Sequence, residues 1–457
     1  MSQEATNLQI KWIDTRSDSA MDDLQDLRQT LSAKGNVVSE ASRQKTIDVF
    51  GRAMAPNDVV ETICRDVAER GSEAVRHYTE KLDGRQLSPE ALRVPVDQIA
   101  AAHAQAEPEF LATIRAIRER LLEFQNQIVP KSHIVQPRPG VQLEHRYVPL
   151  TRVGICVPGG AAAYPSTVLM TAVPAQAAGV GQLVVVAPPT KYGSENPDVL
   201  TVCHELGIDA VYRMGGAQAV AALAYGLDCL DPVDKIVGPG NLFVALAKKF
   251  VFGEVDIDAI AGPSEVVVIA DDTVDPDWVA ADLLAQAEHA PGVSLLISWQ
   301  ETVLNAVYES LNRRIETLDR ADVTRQSLES YGRLILVQDR DQACELATEI
   351  APEHLHLESD GARQLLENIP TAGAVFIGRF SPVPLGDYIA GPSHVLPTGG
   401  TARFASGLSA ASFVRSHSVI EYSQDALVAE ADWVGRIAEK EELTAHRDSI
   451  VCRIPKS

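Results

Sequence analysis

The sequence predicts an α/β protein with two doubly wound, incomplete Rossmann-like parallel-sheet domains, a helical N-terminal region and a helical C-terminal tail. Two observations carry that expectation. Short runs that are apolar on both faces, the mark of buried parallel strands, occur in two series. Gly- or Pro-containing turns and helical stretches such as AQAVAALAYG separate the runs. The first series is RVGICV, QLVVVA, DAVYRM and DKIVG, and the second is EVVVIA, SLLISW, RLILV and GAVFIG. Two successive sets of this kind suggest an old duplication, although no residue-level repeat is visible.

Taken in order, residues 1–34 read as an N-terminal arm without a structural signal. Residues 35–155 read as a helical region, expected to pack with the second α/β domain. Within it Asn57 is a candidate cap for a helix that puts Val60, Ile63 and Val67 on one face. Phe110, Ile114, Ile117, Leu121, Phe124 and Ile128 form the stripe of a longer helix ended by Pro130. The first α/β domain spans 156–263 and the second 264–408, with the joint near AGPSE, Ala261 to Glu265. Residues 409–457 form the tail, whose main segment is DALVAEADWVGRIAEKEELTAH. A polar helical tail of this size cannot hold a core alone, so it must pack on the body or on another subunit.

Composition narrows the function. The 457 residues carry a formal charge of -22, and the pI is near 4.9. Such a surface repels phosphate backbones and anionic membranes, so nucleic acid and membrane are not expected partners. Neither a secretory signal nor an apolar run of about 20 residues is present, which points to a cytoplasmic protein. The six cysteines are scattered without a Cys-x-x-Cys pair, so neither a disulfide frame nor a thiolate metal site is signalled.

Several stretches carry candidate chemistry. VPGGAAAYPSTVLM follows a strand and opens a helix, a layout whose free N–H groups suit a phosphate, although it is not G-x-G-x-x-G and a tight structural turn is the other reading. VDKIVGPGN is a second strand-then-Gly turn; Gln218 and Asn241 sit at strand C-terminal ends, where open α/β sheets bind ligands. In LLAQAEHA, Gln286 and His289 are three positions apart and on a helix would share one face, either as metal ligands or as solvated polar residues. APEHLHLE places Glu353 beside His354 at a helix-to-strand junction, a pairing suited to proton transfer. The Gly/Pro loop LGDYIAGPSHVLPTGGTARFASG carries Asp387 and His394, and EELTAH in the tail carries Glu441 and His446. Spacing alone does not select a ligand set from these residues.

Taken together, VPGG, YPSTVLM, GGAQAVAALAYG, VDKIVGPGN, AGPSEVVVIAD, AADLLAQAEH, APEHL, GPSHVLPT and LTAH occur in the order found in histidinol dehydrogenases, and the chain resembles that family from about residue 35 to its end. The resemblance implies oxidation of L-histidinol to L-histidinal and then to L-histidine, the last step of histidine biosynthesis, with two NAD consumed. It implies one zinc per subunit, held by Gln286, His289 and Asp387 with His446 supplied by the partner of a homodimer. It implies that Glu353 and His354 are the proton acceptors, and that Ser264, His394 and Glu441 join the zinc ligands and His354 in contacting substrate. It also implies that the first α/β domain binds NAD, with Cys156, Gln218 and Asn241 at contact positions. Cys156 stands where many members have Tyr. A related zinc-dependent NAD dehydrogenase of another small alcohol, such as a sulfonated diol, is the alternative; Asp387, Glu441 and His446 favour histidinol.

Overall fold

In the computed structural model, which describes residues 7–17, 19–31, 40–160, 162–289 and 291–455, both series of apolar runs become parallel sheets. Strand β1 (Lys11–Asp14) lies within the N-terminal arm. Strands β2 (His133–Arg138) and β3 (Val141–Pro149) follow the first helices. The first series forms β4 (Arg152–Cys156), β5 (Gln182–Ala187), β6 (Ala210–Arg213), β7 (Lys235–Val237) and the short β8 (Asp256–Ile257). The second forms β9 (Ser264–Ala270), β10 (Gly292–Ser298), β11 (Arg333–Leu336), β12 (His354–Glu358) and β13 (Ala374–Ile377). Strand β14 (Val414–Tyr422) belongs to the tail.

The first sheet runs β6-β5-β4-β7-β8 and the second β1-β11-β10-β9-β12-β13, with every pairing parallel. Counted from the first strand of each series, both follow the order third, second, first, fourth, fifth, as in half of a doubly wound fold. The shared order is what a duplication would leave. The extra edge strand of the second sheet comes from the arm, whose Leu8, Ile10, Ile13, Ala20 and Leu24 are buried in the layers on either face. A four-residue strand paired only to distant β11 leaves no local pattern to read.

The region before β4 departs from the expectation in partner and in content. Its helices pack on the first α/β unit, not the second. Helix Pro56–Arg70 buries Val59, Val60, Ile63 and Val67 with Val220 and Leu223, and helix Pro108–Ile128 buries Ile114 and Leu121 with Val168 and Val173. These stripes complete the two faces of the first sheet, whose own crossover helices leave apolar surface open. Asn57 does not cap: Ala55 is the cap position and Pro56 opens the helix, where its missing N–H costs nothing. The region also contains β2 and β3, joined antiparallel, with β14 on the other side of β3.

The tail is therefore not wholly helical. All nine residues of β14 pair with β3, from Val414 opposite Pro149 to Tyr422 opposite Val141. The hairpin turn needs Gly140, at φ +76°, because a Cβ there would lie 2.1 Å from Ser423 Oγ. Beyond β14, helices Gln424–Lys440 and Thr444–Val451 complete the tail. Among the described residues no helix is long and apolar enough to cross a membrane.

Candidate active site

Strand order in the first sheet reverses between β4 and β7, so a crevice opens at their C-terminal ends, where Val157–Gly160 and Gly238–Asn241 leave the sheet. Gly238, at φ +104°, lets the second turn lie against the first: a Cβ there would sit 2.3 Å from the Cys156 carbonyl oxygen. A buried ion pair fixes this turn. Asp258 Oδ2 accepts the Gly238 N–H at 2.7 Å, while Lys248 Nζ donates to the Gly238 carbonyl and, at 2.7 Å, to Asp258 Oδ1. Nothing in the local pattern marks Lys248 or Asp258, which meet only in the folded chain.

The second sheet faces this crevice with the opposite, N-terminal ends of its strands. Ser264 and Glu265 begin β9, Glu353 immediately precedes β12, and His354 is its first residue. Between the units lies a cavity of about 670 Å³. Cys156, Gln218 and Asn241 line its first-unit wall, and Ser264, His289, Glu353 and His354 line the second. Asp387 reaches the same cavity from a short helix, Val383–Tyr388, set within the stretch expected to be a loop, and His394 reaches it from the irregular segment that follows. Gln286 is buried but is not part of the wall. Glu441 and His446 are exposed on the tail, away from this cavity in the same chain.

His354 is set for proton transfer. Its Nδ1–H points at the Glu265 carbonyl oxygen 3.1 Å away, which leaves Nε2 bare, buried and without a hydrogen-bond partner, 3.7 Å from Asp387 Oδ1. Burial alone would lower its pKa, but the Glu353 and Asp387 carboxylates reverse that and lift it to about 9. Burial pushes the Glu353 carboxyl up to about 7, against the pull of His354. Burial would also raise Asp387, yet His354, His394 and His289 together hold it below the usual carboxylate range. Loss of solvation lowers the pKa of His289 and His394, so both favour the neutral imidazole form a metal requires.

Two local expectations change here. The helix Pro276–Ala287 ends before His289, which lies in the following turn, its N–H directed to the Gln286 carbonyl. Pro291 and Gly292 then lead into β10, so the pair Gln286 and His289 is set by a helix end and not by one helical face. Asn241 is occupied in capping helix Leu242–Val251, accepting from the N–H groups of Phe243 and Val244. Cys156 is buried, and burial pushes its thiol up to about 11, so it stays neutral and small at the cavity wall. Gln218 presents a buried Oε1 without a partner, and so does the Gln286 amide through Nε2. The unpartnered Gln218 oxygen and the glycine-lined crevice fit a nucleotide, and the N/O donors His289 and Asp387 on the cavity wall fit a zinc-type cation.

Glu265 was not singled out by its sequence context, where it reads only as the start of a strand. Its Oε1 accepts the Glu353 N–H at 3.3 Å and the Gly399 N–H at 3.0 Å, and Glu353 Oε2 accepts the Glu265 N–H at 2.9 Å. The two carboxyl groups thus clamp each other's backbone. Burial first, and then Glu353, pushes Glu265 up to about 7. Both acids are weaker when folded than unfolded, so the folded chain binds more protons and stability falls as pH rises from about 4.5 towards 7. Glu265→Gln keeps the accepting oxygen and removes one charge. The melting temperature of that variant should fall less between pH 5 and 8 than that of the unaltered chain, in thermal scans; equal slopes would show that the pair does not titrate in this window.

Two doubly wound units closing an acid–base pair, N/O metal donors and a glycine-lined crevice into one cavity define an α/β oxidoreductase. Residues 52–454 match the family model described as histidinol dehydrogenase. A histidinol dehydrogenase of Rhodopirellula baltica is 56% identical over 447 residues, covering 97% of either chain. One from Clostridium acetobutylicum is 44% identical over 86% of this chain and 91% of its own. The crystal structure of histidinol dehydrogenase from Elizabethkingia anophelis superposes with a TM-score of 0.87 at 31% identity, covering 98% of this chain and 99% of that one. The chain belongs to the histidinol dehydrogenase family.

Proposed function

We propose that this chain oxidises L-histidinol through L-histidinal to L-histidine as a homodimer, using NAD and one zinc ion per subunit. The observation that supports it best is the single cavity in which the first unit's crevice faces Glu353 and His354. Gln286, His289 and Asp387, with His446 of the partner subunit, would hold the cation. When bound, that ion would anchor the substrate's amino and imidazole nitrogens and weaken the pull of Asp387 on His354, while NAD would accept hydride.

The chain's own groups then do the following. His354 Nε2, oriented by the Nδ1–H contact to Glu265 and freed of its proton once the neighbouring carboxylates are neutralised, takes the carbinol proton as hydride leaves. Glu353 takes a proton from the water that attacks the aldehyde carbon. After passing its first proton to solvent, His354 takes the proton of the resulting gem-diol as the second hydride leaves. Ser264 and His394, with Glu441 of the partner subunit, position the substrate, and Cys156, Gln218 and Asn241 lie along the NAD side. Retaining the aldehyde in the same cavity protects it between the two steps.

The test is NAD reduction with L-histidinol and, in parallel, with a sulfonated diol, before and after chelation. Turnover of histidinol, lost on chelation and restored by zinc, is the expected result. Turnover of the diol alone would move the chain to another substrate, and turnover of neither would remove the catalytic reading.

A further inference from the structure

Below His354, β12 carries two more ionisable residues on the same face, His356 and Glu358, because side chains alternate along a strand. Helix Pro276–Ala287 brings Asp282 to them, one helical turn before Gln286. Asp282 Oδ2 lies 2.9 Å from His356 Nδ1, and Glu358 Oε1 lies 3.5 Å from the same nitrogen. All three residues are buried, and one donor atom from each lies within 4.8 Å of the others. Among the described residues this is the one trio of His, Cys, Asp or Glu donors gathered so closely. The Phe376 ring contacts both His354 and His356, which keeps the trio apart from the catalytic pair.

The chemistry of the trio calls for positive charge at its centre. His356 Nε2 faces the Gly378 carbonyl at 3.2 Å and donates to it, which turns Nδ1 towards the two carboxylates. Despite its nearness to Asp282, Nδ1 makes no well-directed hydrogen bond, and Glu358 Oε2 is buried without any partner. One imidazole faces two buried carboxylates, so the trio is short of positive charge even with His356 protonated. A divalent cation would balance both carboxylates at once. Donors about 2.0–2.2 Å from such an ion stand roughly 3–3.5 Å from each other, close to the separations found here.

We propose that Asp282, His356 and Glu358 bind a second divalent cation of the zinc type, a structural centre that pins the helix bearing Gln286 to the strand bearing His354. This inference stands apart from the catalytic zinc. Protein stripped of metal and reloaded with zinc, followed by elemental analysis, tests it. His356→Gln and Glu358→Gln should each hold one zinc ion fewer per chain than the unaltered protein, whereas His289→Ala should keep this ion. A His356→Gln protein with an undiminished zinc count overturns the site. If zinc falls in His356→Gln but not in His289→Ala, the trio stands and the catalytic zinc fails. Crystals of the unaltered protein soaked in zinc decide the matter should the variants not fold: an anomalous peak among the three side chains supports the site, and its absence there refutes it.

Discussion

His354→Asn is expected to lower turnover of histidinol by about 10²–10⁴-fold, the usual contribution of a positioned general base, while zinc content stays unchanged. Asn can still reach the Glu265 carbonyl, so the local fold survives, but it carries no basic lone pair at the position of Nε2. Steady-state rates and metal analysis on the same sample check both halves of the expectation. Loss of zinc in this variant would make His354 a ligand. Glu353→Gln provides the contrast. It keeps the acceptor for the Glu265 N–H and removes only the base for water attack, so histidinal oxidation should suffer more than alcohol oxidation. Equal losses would end that division of labour.

His446→Ala should reduce both zinc retention and turnover by roughly 100-fold or more, as expected for loss of one of four ligands. Within one chain this effect has no explanation, because His446 is exposed on helix Thr444–Val451 and does not line the cavity. A dimer supplies one. The tail reaches outward along β14, and Ile420, Trp433 and Ile437 on it are 68%, 69% and 57% exposed, an apolar surface suited to a second copy. Zinc per chain and rate, measured together, check it. Normal zinc binding in His446→Ala would remove this residue from the ligand set.

Much of this architecture was legible because buried parallel strands are apolar on both faces, as in QLVVVA and EVVVIA, and their turns carry glycines that the crevice requires. What stayed hidden depends on contacts between distant segments. Strand β1 exists through pairing with β11, and β14 through pairing with β3, so neither needs a strong local signal. The helices before β4 show which face is apolar but not which sheet receives it. The general preference for strand C-terminal ends describes the first unit, yet the second presents Ser264, Glu265 and His354 from N-terminal ends, an orientation decided by how the units oppose each other. Glu353 and His354 were readable as adjacent residues, whereas Glu265 and the trio around His356 became visible only when separate strands and a helix met.

The central claim is that each catalytic centre joins a body from one subunit to a tail from the other. Mixing inactive His289→Ala and His446→Ala chains, with subunit exchange confirmed by differently tagged copies, tests it most directly. A two-fold dimer predicts that half of the assemblies are mixed and that one of their two centres is whole, so about a quarter of the unaltered protein's activity should return. A mixture that exchanges subunits yet remains inactive would contradict the shared centre.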